Sequence, residues 1–394
     1  MSERVPSDLD ANSGPPASRT LRGAWNGEAF RARLIQALRI FVRFQSVLGL
    51  VIVFVAGVLI TPRINGEIIF LRPANLGSLI QSISEYGILA VGMTFVIISG
   101  GIDLSVGRVL GLSAVVIARL MMVSAWDLVP AVLATLAIGL IFGLLQGFIM
   151  VRLRLQAFIV TLAGMWIAYG IGLSLLPNQQ FIGITFGEGP NHAPAAFQVL
   201  GENLWGTIPV SAVIFLVVGL LGVLVLNTTR FGRQVYAVGG NERAARLSGI
   251  SVTKVRCLVF GITGLLAALA GIVDAGQYNF GNPAQGYGFE LMAIACVVIG
   301  GTSLFGGRGS MVGTLAGVLM LGTINNVLLL NNVDSNIQKV ITGLIIIAAA
   351  ALQTVAGELT GSVGGGTRAR REAGPQTPAS PKTQAGGPQT QAGS

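Results

Sequence analysis

Long apolar runs separated by short polar segments recur along most of the chain. An apolar run of about 20 residues with few charges is long enough for a helix to cross a bilayer. The pattern therefore predicts an all-α fold, a polytopic membrane helix bundle of about ten transmembrane helices. The predicted helices are 44–60, 76–98, 105–123, 129–150, 157–176, 209–226, 256–275, 289–303, 311–330 and 337–356.

The two ends of the chain differ from this apolar region. Residues 1–42 are polar and become Arg-rich, and residues 361–394 are rich in Gly, Pro, Thr and Gln. Such segments bury too little apolar surface to fold, so both are predicted to be disordered tails. The membrane domain is predicted to cover 43–360, and its longest polar interruption is the loop 228–256.

Positive charges predict how the bundle is oriented. With an even number of helices, the Arg-rich N-terminal tail, Arg152, the loop 228–256 and the basic C-terminal tail all lie on one side. Short loops rich in Arg and Lys usually stay in the cytoplasm. Both termini are therefore predicted to be cytoplasmic in a bacterial inner (plasma) membrane, although Arg63 and Arg72 on the opposite side are exceptions.

Composition narrows the possible functions. Of the 394 residues, 52% are hydrophobic and 10% are charged, and the mean hydropathy is +0.74, which leaves no room for a separate soluble domain. The net charge of +9 resides in tails and loops without interleaved aromatic residues, so nucleic acid is not an expected partner. Cys257, Cys296 and His192 do not have the spacing of metal ligands.

One helix break is predicted at Gly100–Arg108, whose sequence is GGIDLSVGR. Backbone groups freed by a break at membrane depth must be satisfied by protein or water, so such breaks tend to line cavities. We interpret Asp103 first as the N-cap of the next helix, and contact with a polar solute is the alternative. The candidate pathway residues here are Gly100, Gly101, Asp103, Ser105 and Gly107.

A second break is predicted at Gly300–Arg308, whose sequence GGTSLFGGR shares five positions with the first. The similarity suggests an internal repeat, although a chain with 55 glycines produces some agreement by chance. Gly300 and Gly301 are added to the candidate pathway.

Polar side chains inside the predicted helices are further candidates for the pathway. They either line a polar path or bond one helix to another, and for any single residue we favour the helix-to-helix bond. The set is Glu85, Gln146, Glu290, Asn325 and Asn326.

The loop 228–256 contains the pattern of a short helix. Asn241 can cap its start, Glu242 and Arg246 suit its first and last turns, and Gly249 can adopt the left-handed stop. Two turns are unstable alone in water, so this helix must pack either on its own bundle or on a cytoplasmic partner.

From about residue 75 to 356 the chain resembles the inner-membrane permeases of ribose/xylose-class, binding-protein-dependent ABC importers. The resemblance rests on four runs, namely Val91–Gly107, Gln156–Gly164, Gly239–Ile250 and Val298–Leu304. It implies that 43–360 is a permease domain and that 228–256 is a cytoplasmic coupling loop. The residues that match the family's ATPase-coupling helix are Asn241, Glu242, Arg243, Ala245, Arg246, Leu247, Ser248 and Gly249.

The resemblance also implies partners and a cargo. The partners are a second permease subunit, identical or paralogous, a cytoplasmic ATP-binding subunit and a periplasmic or lipid-anchored sugar-binding protein, within membrane lipid. The cargo is a pentose or hexose such as xylose or ribose. Arg108 and Met292 depart from the family pattern, which usually has a small polar and an acidic residue there, and leave the exact sugar open.

No phosphate-binding loop and no catalytic set occur in the sequence. The chain is therefore not expected to be an enzyme or to bind a cofactor, and ATP and Mg would be held by the partner. The competing interpretation is an ion-gradient-driven secondary transporter of a small polar solute, since broken helices and buried acids such as Glu85 and Asp103 occur there also.

Overall fold

The computed structural model describes residues 46–176, 180–204, 206–348 and 351. The chain separates into two compact units, Met1–Ala350 and Ala351–Ser394, and every element below belongs to the first. The predicted tails 1–42 and 361–394 lie outside the described residues.

The described residues form helices and a few two-residue strands. The helices are α1 (Ser46–Ile60), α2 (Pro73–Ile98), α3 (Val106–Met122), α4 (Leu128–Arg152), α5 (Ala157–Ser174), α6 (Ala195–Gln198), α7 (Val210–Thr228), α8 (Arg230–Gly240), α9 (Glu242–Leu247), α10 (Val252–Tyr278), α11 (Phe289–Ile299), α12 (Met311–Leu330) and α13 (Ser335–Ala348). Two short 3₁₀ turns lie at Ile69–Leu71 and Val199–Gly201.

The strands form three antiparallel pairs in the segments that connect the helices. They are β1 (Arg63–Ile64) with β2 (Glu67–Ile68), β3 (Ile182–Gly183) with β6 (Phe280–Gly281), and β4 (Asn203–Leu204) with β5 (Ile208–Pro209). The β3–β6 pair joins the α5–α7 connection to the segment that follows α10.

A helix lies in the described part of each of the ten segments predicted from hydropathy, and the predicted segment 337–356 is described only to residue 348 and at 351. Six of them, α2, α4, α5, α7, α10 and α12, are long and apolar enough to cross a membrane. The all-α membrane bundle is therefore supported, whereas a count of ten crossings is not confirmed. The predicted helix 289–303 is too long, because α11 ends at Ile299 and Gly301 turns the chain with φ +88°.

Small residues allow the central helices to approach each other closely. α10 packs against α2, α3 and α4. A Cβ atom on Gly143 or Gly264 would overlap the backbone of the facing helix across the α4–α10 contact. Since lipid supplies no hydrophobic drive between helices, such close van der Waals packing is a main source of their association.

The segment after α10 turns back into the bundle beside α3. Gly281 lies against Ala114, Pro283 against Gly111, and Gly286 against Gly107. The chain therefore descends along α3 by about two turns before α11 begins. As a result α11 starts inside the bundle instead of at its end.

Candidate functional site

The predicted short helix is present as α9. The Asn241 carbonyl oxygen Oδ1 accepts the backbone N–H of Ala244 at 2.9 Å, and Gly249 follows the helix with φ +79°. Glu242 and Arg246 occupy the first and last turns. The capping pattern predicted from the sequence is confirmed.

An ion-pair network fixes α9 to the bundle. The Glu242 carboxylate binds Arg246 at 2.7 Å and Arg256, at the start of α10, also at 2.7 Å. The hydrogen bond from Arg246, aided by the charges of both arginines, lowers the pKa of Glu242 from its ordinary value. Ala245 is buried against the bundle, so α9 is attached both by packing and by charge.

Acid is expected to loosen α9. Because the pKa of Glu242 is lowered from 4.5 in the folded chain, its stabilising contribution is present above that ordinary value and is lost as the pH falls through the lowered one. The group is partly exposed, so we expect amide exchange protection in α9 to fall by no more than about fivefold. Hydrogen exchange at two pH values, corrected for intrinsic rates, measures this. Glu242→Gln should remove the dependence, and an unchanged pH response in that variant would contradict the assignment.

One large apolar side chain is exposed on α9. Leu247 is 91% exposed at the end of the helix, and Phe305, in the loop of the second break, is 93% exposed. Arg243, Arg246 and Ser248 are exposed beside Leu247. Leu247 is thus a large apolar side chain exposed on α9 among polar neighbours.

The two helix breaks meet at the end of α8. The Gly307 N–H donates to the Ile98 carbonyl at 2.8 Å, so the second break bonds directly to the last turn of α2. Gly239 lies so close to the Ile98 carbonyl that a Cβ atom there would overlap it. Gly306 packs on Gly100 in the same place. We call this contact of the two breaks with α8 the glycine junction.

Two further bonds hold the glycine junction. The Tyr236 hydroxyl of α8 donates to the Gly309 carbonyl at 2.9 Å, and the Ser46 hydroxyl of α1 donates to the Gly300 carbonyl at 2.8 Å. α8 ends at Gly240 and α9 begins at Glu242, so α8 lies between α9 and both breaks. The structure brings the two predicted breaks together at α8, the helix that precedes the predicted coupling residues, which the sequence did not show.

Asp103 does not cap α3 as predicted. α3 begins at Val106 after Ser105, and the Asp103 oxygen Oδ1 accepts the Ser105 backbone N–H at 2.8 Å and its hydroxyl at 2.7 Å. The carboxylate lies too early in the chain to reach the N–H groups of the first helical turn. It stabilises the turn that precedes the helix.

Ser105 connects that turn to α4. The Gln146 amide donates to the Ser105 hydroxyl at 2.9 Å, and both side chains are buried. Gly101 packs near Phe260 and Ala157. A cavity of 390 Å³ opens beside this turn, between the first break and the α4–α5 connection.

Asn326 bonds two helices far from the breaks. Its amide and that of Asn75 at the start of α2 exchange two hydrogen bonds of 3.0 Å each. The neighbouring Asn325 accepts a bond from Thr342 at 3.4 Å. The structure thus places both residues between helices, and a role for them in the pathway stays a prediction.

Removing the amide pair is expected to cost little. In a cycle of Asn75→Leu, Asn326→Leu and the double variant, we expect a coupling energy of about 0.6 kcal/mol, because interhelical hydrogen bonds in membranes are individually weak. Thermal unfolding in detergent measures it. ATP-driven uptake that survives in the double variant would show that the pair is structural, whereas selective loss of uptake with full stability would place it in the pathway.

Sequence reasoning missed a second buried acid. Glu85, 2% exposed on α2, interacts electrostatically with Asp274, 3% exposed on α10. Asp274 falls in the last predicted turn of its helix, where a charge is ordinarily near water, so its position gave no signal.

The described residues contain no group of three His, Cys, Asp or Glu side chains arranged to hold a metal ion. Buried helix breaks are connected through a short helix to an exposed surface, within a bundle of membrane-length helices. This arrangement fits a membrane transport subunit.

Comparison with known proteins agrees with this class. Residues 75–350 match the family described as the permease component of the branched-chain amino acid transport system. That match covers more than half of the chain, and the chain belongs to this family. No solved structure gives a significant match.

The chain is also similar to curated sugar permeases. It is 41% identical to the ribose import permease protein RbsC of Bacillus subtilis over 72% of this chain and 85% of that protein. It is 42% identical to RbsC of Escherichia coli K12, over 70% and 84%. It is 32% identical to the xylose transport system permease protein XylH of Haemophilus influenzae, over 72% and 90%.

Proposed function

We propose that this chain is the permease subunit of an ATP-binding cassette importer that moves a monosaccharide, a pentose or hexose such as ribose or xylose, across the inner membrane. The observation that carries the proposal is the identity of 41% with a ribose permease over 85% of that protein's length. The family description also names branched-chain amino acids, which makes them the control cargo.

Three partners follow from this function. A cytoplasmic ATPase would bind the outer face of α9 around Leu247, and it would carry the ATP and Mg. A second permease, identical or paralogous, would complete the pathway. A periplasmic or lipid-anchored binding protein would deliver the sugar at the opposite end. The exposure of Leu247 within the segment that matches the family's coupling helix supports the first of these contacts.

The proposed orientation places the α9 end in the cytoplasm. Arg152, Arg154, Arg246 and Arg256 line one cavity of 770 Å³ at this end. Arg-rich loops remain on the cytoplasmic side, and both termini would lie there too.

The glycine junction supplies a mechanism for coupling. Closure of the ATPase would displace α9, and α8 would transmit the movement to both breaks, because their backbones bond and pack at the same point. A pair of breaks is a natural two-state element, since turns without side-chain packing can rearrange while the helices remain intact. The permease itself performs no ATP hydrolysis in this scheme.

Uptake into proteoliposomes tests the function. The chain is reconstituted with the ATPase and the binding protein encoded beside it, and entry of labelled ribose, xylose and leucine is measured with and without internal ATP. We expect ATP-dependent uptake of a sugar that persists when ion gradients are collapsed. Leucine uptake would replace the cargo assignment. Uptake that needs an ion gradient and no ATPase would overturn the importer.

A further inference from the structure

An arginine lies between two tyrosine rings in the interior part of the bundle. The Arg108 guanidinium carbon is 4.3 Å from the ring centre of Tyr169 on α5 and 4.7 Å from that of Tyr287, which precedes α11. Arg108 also donates to the Pro283 carbonyl at 3.1 Å. The three side chains come from α3, α5 and the returning segment after α10.

Contacts with neighbouring helices show how deep this cluster lies. Leu110 packs against Gly271, about 10 Å below the α10 end at Tyr278, at about 1.5 Å per residue. From the other direction, Ser105 contacts Gln146, about 9 Å from the α4 end at Arg152. Arg108 lies between these two levels. The cluster is therefore near the middle of the membrane-crossing region.

The cluster nevertheless opens to the outside of the chain. Tyr287 is 73% exposed, and Arg108 and Tyr169 are partly exposed. A charged group at this depth does not face lipid, because the cost of removing it from polar surroundings is too high; it faces protein or a water-filled path. This face must therefore border the path or the subunit that encloses it.

A carboxylate balances the arginine. Glu290, in the first turn of α11, is 6% exposed, and its oxygen Oε2 has no hydrogen-bond partner among the described residues. The same oxygen lies against Gly107, the neighbour of Arg108, and the two charges interact. No ion pair between them within 4.0 Å occurs in the described part of the chain. The unpartnered oxygen is itself buried, so the arginine and the two rings are the groups that a ligand can reach, and the carboxylate lies behind them.

We propose that Arg108, Tyr169, Tyr287 and Glu290 form a binding site for a neutral aldose within the translocation path. This proposal rests on the proposed function and adds to it where the cargo binds and that the cargo is uncharged. Aromatic rings pack against the C–H faces of a sugar and the guanidinium donates to its hydroxyls, while the buried carboxylate behind them balances the charge. Because the two charges sum to zero, a neutral sugar is favoured over a sugar acid.

Two variants and one control test the site. Tyr287→Leu removes the most exposed ring, and Glu290→Gln removes the balancing charge with little change in volume. Tyr278→Leu is the matched control, because Tyr278 is also an exposed tyrosine near the same connection but lies outside the cluster. Each variant is assembled with its ATPase and binding protein in proteoliposomes, and uptake is measured against the concentration of the sugar that wild type transports.

Tyr287→Leu is expected to raise the sugar concentration for half-maximal uptake about tenfold, as loss of one aromatic contact and its buried area implies, while Tyr278→Leu stays within about twofold. In Glu290→Gln the site has a net positive charge, so uptake of the neutral sugar should fall and the corresponding aldonate should become an inhibitor. A structural role alone would not produce inhibition by the aldonate.

The outcomes separate this site from the importer itself. If wild type shows no ATP-driven sugar uptake, the proposed function fails. If wild type transports the sugar and both Tyr287→Leu and Glu290→Gln keep its concentration dependence and remain insensitive to the aldonate, the importer stands and the site is overturned.

Discussion

Gly239→Ala is expected to abolish most transport while the ATPase remains bound. A Cβ atom at this position would overlap the Ile98 carbonyl oxygen and would lie 2.7 Å from the Gly307 nitrogen. Both neighbours are backbone atoms, one at the end of α2 and one in the second break, so neither can rotate away. Overpacking of this kind costs about 1–3 kcal/mol, and if that cost falls on one of the two transport states, uptake should drop about tenfold or more.

The neighbouring glycine provides a matched control. A Cβ atom on Gly240 would meet no atom within 4 Å, although both glycines belong to the last turn of α8. Gly240→Ala should therefore keep uptake within about twofold of wild type. The measurements are ATP-driven uptake, ATPase co-purification and thermal unfolding. Equal effects of the two substitutions would show that the glycine junction does not transmit movement.

Leu247→Asp is expected to release the ATPase from an otherwise folded permease. Leu247 is almost fully exposed, so the substitution removes no contact within the chain and should leave the thermal unfolding temperature unchanged. An apolar anchor at the centre of an interface typically contributes about 2 kcal/mol or more. We therefore expect the affinity for the ATPase to fall about 30-fold.

The control for this experiment keeps the shape and apolar character of the side chain. Leu247→Met should retain binding, because it changes volume little. Binding is measured by co-purification from detergent and by titration of the purified ATPase. Full binding by Leu247→Asp would place the ATPase elsewhere, and loss of binding together with a lowered unfolding temperature would show that Leu247 supports the fold instead.

The local features of α9 were predictable because they depend on residues close in sequence. An Asn cap bonds to the N–H three residues later, and a glycine stop needs only its own backbone freedom. The roles of Asn241 and Gly249 can therefore be predicted from the neighbouring sequence alone. The same holds for membrane helices, since their length and apolar composition are set by the bilayer.

Contacts between distant residues were not predictable in this way. Arg256 is fourteen positions from Glu242, and its bond depends on how α9 lies against α10. Asp103 was predicted to be a cap, but α3 begins three residues later, which places Asp103 in the preceding turn. Asp274 and Tyr169 had no sequence signal, because their partners come from other helices.

The sequence by itself determined that this protein is a helical membrane bundle with two glycine-rich breaks and a capped short helix, because hydropathy, capping and turn chemistry act over neighbouring residues. Only the tertiary structure decided that both breaks meet at Gly239, that α11 begins inside the bundle, and that Arg108 lies between Tyr169 and Tyr287. These arrangements follow from which helices can approach closely, and close approach is a property of surfaces that form only when the helices pack together.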